Sequence, residues 1–392
     1  MTVAEELVID IFADSFQRDP YDTIRQAREK APVARDPFGS LILLRIEDFE
    51  TVATDGRFSA FGDRLAQMLG LAPGPAFDWL AGSLMFLDPP DHARIRGLVR
   101  KEFTPRRVAE LEPAIAATTG RLLDAAQPAG AMEFVADFAS QLPLITICQL
   151  LGMPTTDWPL LRDWSARLLP NHPGEAARAD QAAGEFRAYV QDVIAERRRR
   201  PGRDLISALA GATGTGQLSD DELWILIVLL VFAGNDTTMG LLANAVYLLL
   251  RHPDQLRLVR AQPDRYIDTT IEEVLRFEPP VSGDGRIARE DVQLGDLAIP
   301  AGQLLRLMPT AVNRDPARFA DPGRFDIGRR PNKHMSFGWG MHLCLGATLA
   351  RAEARIAIPQ ILNRLGDLEL AGEITWAATR GRTLESLPLT FS

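Results

Sequence analysis

Two short stretches concentrate the residues that could do chemistry. The first is Phe337-Gly338-Trp339-Gly340-Met341-His342-Leu343-Cys344-Leu345-Gly346. It runs into Ala347-Thr348-Leu349-Ala350-Arg351-Ala352-Glu353, a helical pattern, so Cys344 stands just before a helix N-terminus. Backbone N–H groups and the helix dipole there favour a thiolate over a thiol. Gly338, Gly340 and Gly346 carry no side chain and would let a large flat group come close to the backbone. One thiolate without a second cysteine suits an iron held by a single protein ligand, as in a haem–thiolate site. CxxCH is absent, so such a haem would not be attached through thioethers. Two other readings of Cys344 remain on the residues alone: a buried structural cysteine in a glycine-rich turn, and a nucleophile with His342 as its base. Cys148, within Ile145-Thr146-Ile147-Cys148-Gln149-Leu150, reads as a structural thiol.

The second stretch is Ala233-Gly234-Asn235-Asp236-Thr237-Thr238. It falls in the middle of a long helical pattern. Ser219-Asp220-Asp221-Glu222 forms a capping box with acids at the positive helix end. A helix from there to Arg251, before Pro253, would be about 48 Å long and cross a whole domain. Its first half, Trp224 to Ala233, is apolar all round and should be buried. Gly, Asn, Asp and Thr in such an interior oppose local stability, and conflicts of this kind concentrate at functional sites. Either the helix kinks around a satisfied polar cluster, or it opens locally where Asp236 and Thr237 handle protons or a ligand.

The elements around these stretches are those of one large domain. The chain has 392 residues, of which 46% are hydrophobic and 24% charged, an ordinary globular composition. Lys and Arg number 43 against 52 Asp and Glu, a formal charge of −9, which argues against nucleic acid as a partner. Two cysteines exclude a disulfide scaffold and a four-Cys zinc site. The N-terminus has Glu5 and Glu6 where a signal peptide carries basic residues, and the longest apolar run, Leu223 to Ala233, is too short to span a bilayer. These features lead us to expect a soluble, cytoplasmic protein with no membrane partner. A hairpin is expected over Val33 to Arg35 and Leu41 to Leu44. Helices are expected over Asp22 to Lys30, Arg106 to Ala126, Phe134 to Leu151 and Ala176 to Arg200. Strands return over Arg286 to Ile299 and Gln303 to Leu307, and Ile374 to Phe391 reads as another hairpin. The class is therefore mainly α with small β-sheets: strand-containing portions at about 30–60, 286–310 and 374–391, and helix-rich portions at about 90–280 and 346–366.

Phe-Gly-x-Gly-x-His-x-Cys-x-Gly matches the haem-binding loop of cytochrome P450 monooxygenases, and Ala-Gly-Asn-Asp-Thr-Thr resembles that family's oxygen-activating helix segment. Glu273-Val274-Leu275-Arg276 is similar to its Glu-x-x-Arg motif. The same spacing recurs by chance at Glu175/Arg178 and Glu196/Arg199, so the match rests on the following Glu278-Pro279-Pro280 and on the motif order. Asn313-Arg314-Asp315-Pro316 through Phe325-Asp326 resembles the approach to the Cys loop, with Gly323 where relatives often carry Asp. Asp88-Pro89-Pro90-Asp91-His92-Ala93-Arg94-Ile95-Arg96 resembles the early helix that contacts haem. The resemblance spans about residues 10–391 and implies a single P450 domain over 1–392. Its haem b (iron protoporphyrin IX) would lie between the long central helix and the Cys-loop helix.

The resemblance further implies Cys344 as the axial iron ligand and His92, Arg96, Arg286 and His342 as propionate partners. Asp284 would either accept from a protonated propionate or orient Arg286. Ala233, Gly234, Phe337 and Gly346 would lie against the macrocycle. Thr237 would hand protons to the oxygen being activated and Asp236 would feed it. Glu273 and Arg276 would form a buried structural charge network. Leu84, Met85, Leu169, Leu229, Phe232, Val281 and Leu384 would line an apolar substrate pocket for a terpenoid, steroid or aromatic compound. The chain carries no FAD, FMN or iron–sulfur motif, so electrons would come from an acidic iron–sulfur ferredoxin (or flavodoxin) and its NAD(P)H reductase. The partner would dock on Arg94, Arg96, Arg100, Lys101, Arg106, Arg107, Arg351 and Arg355. The enzyme is expected to be a monomer. Oxidative coupling or desaturation, a haem protein without turnover, and a cofactor-free Cys hydrolase are the alternatives.

Overall fold

The computed structural model describes residues 7–170, 172–214, 216–377 and 381–392. Its axis is one helix, Asp220–Arg251. The capping box closes as the sequence demands: Ser219 Oγ accepts from the Glu222 N–H at 3.1 Å, and the Ser219 N–H donates to Glu222 Oε2 at 2.7 Å. This helix is long and apolar enough to cross a membrane by length and composition, yet it runs through the protein interior. The helices Gln141–Leu151, Ala176–Arg199, Pro263–Phe277 and Ala347–Arg364 pack against it and share one core. The fold is mostly helical with small sheets, as the patterning requires.

A smaller second core lies under a five-stranded sheet. The order is Val33–Arg35, Leu41–Leu43, Leu304–Leu307, Asp284–Ala288, Phe58–Ser59. Leu41–Leu43 runs parallel to Leu304–Leu307, and the other neighbours are antiparallel. Register Arg286↔Leu305 fixes Arg286 on the same face as Asp284, because strand side chains alternate. The strand signals over 286–299, with their expected turn at Gly295, are three strands: Asp284–Ala288, in the five-stranded sheet, and Val292–Leu294 and Leu297–Ile299, which form their own hairpin around Gly295, at φ 57°.

Two expectations are corrected. Phe134 to Leu151 is not one α-helix: Val135–Ala139 is a π-helical turn, with the Ser140 N–H donating five residues back to the Val135 carbonyl at 2.9 Å. Pro143 has no N–H to offer the Ala139 carbonyl, so the α-helix restarts at Gln141 with Pro143 in its first turn, where that loss is tolerated. The tail is not one hairpin either. Thr375–Trp376 pairs with Leu384–Ser386, and Pro388–Thr390 crosses to a three-stranded sheet with Ala131–Glu133 and Glu369–Leu370. The Leu387 N–H is taken by Glu133 Oε1 at 2.6 Å and Pro388 has none, which ends the first pairing.

Candidate active site

The Cys loop is closed by its own backbone. The Cys344 N–H donates to the Phe337 carbonyl at 2.7 Å, and the Gly338 N–H donates to the Met335 carbonyl at 2.8 Å. Gly338 and Gly340 sit at φ 71° and 69°, a region closed to most L-residues. Gly340 also lies so near Ala53 that a Cβ would come within 2.4 Å of its carbonyl oxygen. Its missing side chain thus serves packing on the helix Ile46–Thr54 rather than the approach of a flat group. Gly346 differs: a Cβ there would meet nothing within 4 Å.

Cys344 is accessible to solvent, yet protein surrounds it densely enough that burial pushes its thiol up. A residue with both properties faces a recess. The N–H groups of Gly346 and Ala347, with the Arg96 and Arg351 guanidiniums, pull the other way but do not win. The helix start acts in the expected direction, favouring the thiolate against burial, and a bound cation would add to it. Cys148 is buried, with its thiol pushed up to about 12 by burial.

Four nitrogen-bearing side chains gather beside the loop from three separate elements. Arg96, on the helix Asp91–Val99, donates to the carbonyl of Leu343, next to Cys344. His92, one turn earlier, packs its ring on His342 with centroids 4.5 Å apart. Arg286, buried on its strand, donates from Nη1 to Asp284 Oδ2 and to the Gly285 carbonyl, both at 2.6 Å. Burial, then Arg286 and His92, depress His342 to about 4. Burial and then Arg96 lower His92 as well. Both imidazoles are neutral at physiological pH. His92 Nε2 is enclosed and has no hydrogen-bond partner among the described residues. A buried ring nitrogen beside two guanidiniums and a second imidazole is the setting for an anionic acceptor.

On the central helix, the expected opening does not occur: residues 220–251 stay helical throughout, and the Thr237 hydroxyl donates to the Ala233 carbonyl at 2.9 Å. Asp236 accepts from Asn235 Nδ2 at 2.9 Å. Ala233, Gly234, Asp236 and Thr237 keep partial exposure, whereas Asn235 and Thr238 turn inward. Among the pocket candidates, Met85, Leu169, Phe232 and Val281 are partly exposed, and Phe232 meets Trp79 edge to face at 5.2 Å. Leu84 and Leu229 are buried. Leu384 is corrected: at 0% exposure it touches no water-sized space and packs in the main core, opposite Trp376 in the strand pair.

A family model for cytochrome P450 matches residues 141–366, more than half of the chain. The chain belongs to the cytochrome P450 family. Cytochrome P450 107B1 of Saccharopolyspora erythraea is 37% identical, with 99% of each chain covered. The 6-deoxyerythronolide B hydroxylase of the same organism is 35% identical over 94% of this chain and 95% of its own. A crystal structure of P450BioI, in complex with an acyl carrier protein ligated to hexadec-9Z-enoic acid, superposes with a TM-score of 0.91 at 34% identity, covering 96% of this chain and 100% of the other. This P450 is accordingly a haem-dependent monooxygenase of bacterial type. The residues present fit the cofactor: an accessible cysteine in a recess, the unpartnered His92 Nε2 among cations suited to propionates, and open space at Gly346.

Sequence reasoning missed two features of this P450. Glu273 and Arg276 were expected to pair, but not that Glu273 also accepts from Arg329, Asn332 and the Asp326 N–H. Glu353, on the Cys-loop helix, is buried with Oε2 unpartnered among the described residues, and burial raises its carboxyl to about 8. The folded state thus binds a proton that the unfolded chain has released above its ordinary value of 4.5. Stability from this group is complete at low pH and falls as pH rises from about 4.5 to about 8. The expected result is a thermal midpoint that drops across that window in the parent and drops less in Glu353→Gln. Equal slopes would exclude the buried acid as the cause.

Proposed function

We propose that this P450 inserts one atom of O2 into an apolar small molecule in the cytoplasm, with Cys344 as the thiolate ligand of the haem iron. The overall balance is RH + O2 + NAD(P)H + H+ → ROH + H2O + NAD(P)+. The accessible Cys344 at a helix start beside Arg96 carries the reading, because one anionic sulfur under a cationic rim matches a single-ligand iron site. When bound, haem supplies the activation of O2; the chain supplies ligand, orientation and dryness. His92, Arg96, Arg286 and His342 would hold the propionates, the imidazoles as neutral donors. Asp236 and Thr237 would hold and pass protons on the accessible side of the central helix. A strong long-wavelength Soret band in the reduced carbon monoxide difference spectrum is the expected result; its absence from haem-loaded protein would refute thiolate ligation.

Met85, Leu169, Phe232 and Val281, each partly exposed, would line an apolar pocket, which favours a terpenoid, steroid or aromatic compound over an anion. One relative is named for the hydroxylation of 6-deoxyerythronolide B. Thr237→Ala should keep NAD(P)H consumption within about twofold but divert the electrons to hydrogen peroxide, since a hydroxyl that relays protons has been removed while the fold is untouched. A peroxide yield equal to that of the parent would take Thr237 out of the relay.

Electrons come from a separate ferredoxin. The basic cluster foreseen for docking is smaller than the sequence count. Arg94 is held by Glu222 and Asp91, Arg107 by Glu102 and Glu110, Arg351 by Glu272, and Arg355 by Asp268. Arg106 also has Glu110 at 3.9 Å, which leaves the exposed Arg100 and Lys101 in the turn that follows Arg96; Trp339 and Leu343 are 40% and 45% exposed on the Cys loop. An apolar centre with a short cationic edge predicts moderate steering. The reduction rate by an acidic ferredoxin should fall as ionic strength rises past about 0.15 M. A rate flat in salt would remove the electrostatic part of this surface.

A further inference from the structure

One face of the central helix is turned wholly inward. Val228, Val231, Leu242, Ala245 and Leu249 on it have no solvent contact. Asn235 and Thr238 continue the same stripe at helical spacing, between Val231 and Leu242. Asn235 is 1% exposed. A primary amide in an aliphatic position costs free energy for each end left without a hydrogen bond. Here Nδ2 donates to Asp236 Oδ1 at 2.9 Å, while Oδ1 has no partner among the described residues. Turning the amide over would not help, because its oxygen would then face a carboxylate. Asn235 thus keeps an unmade bond in the core while its made bond goes to the neighbouring acid.

We propose that Asn235 is a positioning residue for Asp236. Its amide holds the carboxylate that feeds Thr237, gripping it from the buried side of the helix. Asp236 and Thr237 are partly exposed whereas Asn235 is buried, so the grip comes from the inner side of the helix. A carboxylate already held in one orientation need not be ordered again at each proton delivery. The inference rests on the proton relay proposed above.

The test uses the holoenzyme with a surrogate ferredoxin and reductase, without substrate. Under these conditions O2 is reduced either to peroxide, O2 + 2 e− + 2 H+ → H2O2, or to water, O2 + 4 e− + 4 H+ → 2 H2O. Only the second outcome needs protons delivered for O–O cleavage. Asn235→Leu and Asn235→Ala both remove the donor, but they affect packing in opposite ways. Their thermal midpoints should move apart, up for Leu and down for Ala. Their water-to-peroxide ratios should fall together, by about tenfold, the size of one hydrogen bond to a charged group. In an Asp236→Asn background the Asn235 effect should vanish. An unchanged ratio in either folded variant, a ratio that follows the midpoint, or the same tenfold fall in the Asp236→Asn background each overturns the inference. If Asp236→Asn alone leaves the ratio at the parent value, the relay itself fails, which is a separate result.

Discussion

Replacing Cys344 with alanine should abolish the long-wavelength carbon monoxide band and reduce oxygen insertion to background, while leaving the helical fold in place. The fold should survive because the loop is held by the Cys344 N–H and the Phe337 carbonyl, which alanine retains. No other thiolate can take over. Cys148 is the only other cysteine, lies buried on another helix, and has its thiol pushed up to about 12. Cys344→His gives the sharper result. It offers a neutral nitrogen ligand in place of an anionic sulfur, so haem should still bind, with the Soret band of a nitrogen-ligated pigment and without the electron donation that drives O–O cleavage. Retention of the thiolate-type band in either variant would place the iron ligand elsewhere.

The legible parts of this protein were contiguous in the chain. The Cys loop, the Asp236-Thr237 segment and the capping box at Ser219 are each encoded within about ten residues, and each lies where the residues placed it. The illegible parts depend on partners far apart in sequence. Arg94 looked like a free docking cation because Glu222 is 128 residues away, and Arg351 because Glu272 is 79 residues away. Local charge counting could not neutralise them. Gly340 looked like a place for a cofactor, yet what excludes its side chain is a carbonyl on the helix Ile46–Thr54. Leu384 had the composition of a pocket residue, but in a strand pair the register with Trp376 decides which way it faces. The orphaned oxygen of Asn235 is of the same kind: an amide in a motif announces itself, but whether each end finds a partner depends on the packing around it.

The largest stability effect should come from the pair Glu273 and Arg276, both fully buried. Arg276 meets Glu273 through two bonds of 2.8 Å and spends its remaining donors on the carbonyls of Asn313, Pro322 and Arg324. These acceptors belong to the irregular segment before the Cys loop. From Asn313 the connection continues, as its side chain accepts from the Met335 N–H at 2.7 Å and donates to Ser336 Oγ at 2.8 Å. One guanidinium therefore ties the helix Pro263–Phe277 to the approach of the haem loop. Breaking a buried pair costs about 3–5 kcal/mol because the survivor is left charged and dry. Against a total stability of about 5–15 kcal/mol, that loss should sharply reduce the yield of folded holoprotein. The two partners should not be equal. Arg276→Ala leaves Glu273 with Arg329 at 3.2 Å and Asn332 at 3.0 Å, whereas Glu273→Ala takes the counter-charge from two guanidiniums at once and leaves each only backbone carbonyls. Glu273→Ala should therefore unfold at a lower urea concentration than Arg276→Ala, and Arg276→Lys should resemble Arg276→Ala, since an ammonium cannot reach the carboxylate and three carbonyls together. Urea midpoints read by circular dichroism decide the order, and equal midpoints for the two alanine variants would show that Arg329 carries no share of the charge on Glu273.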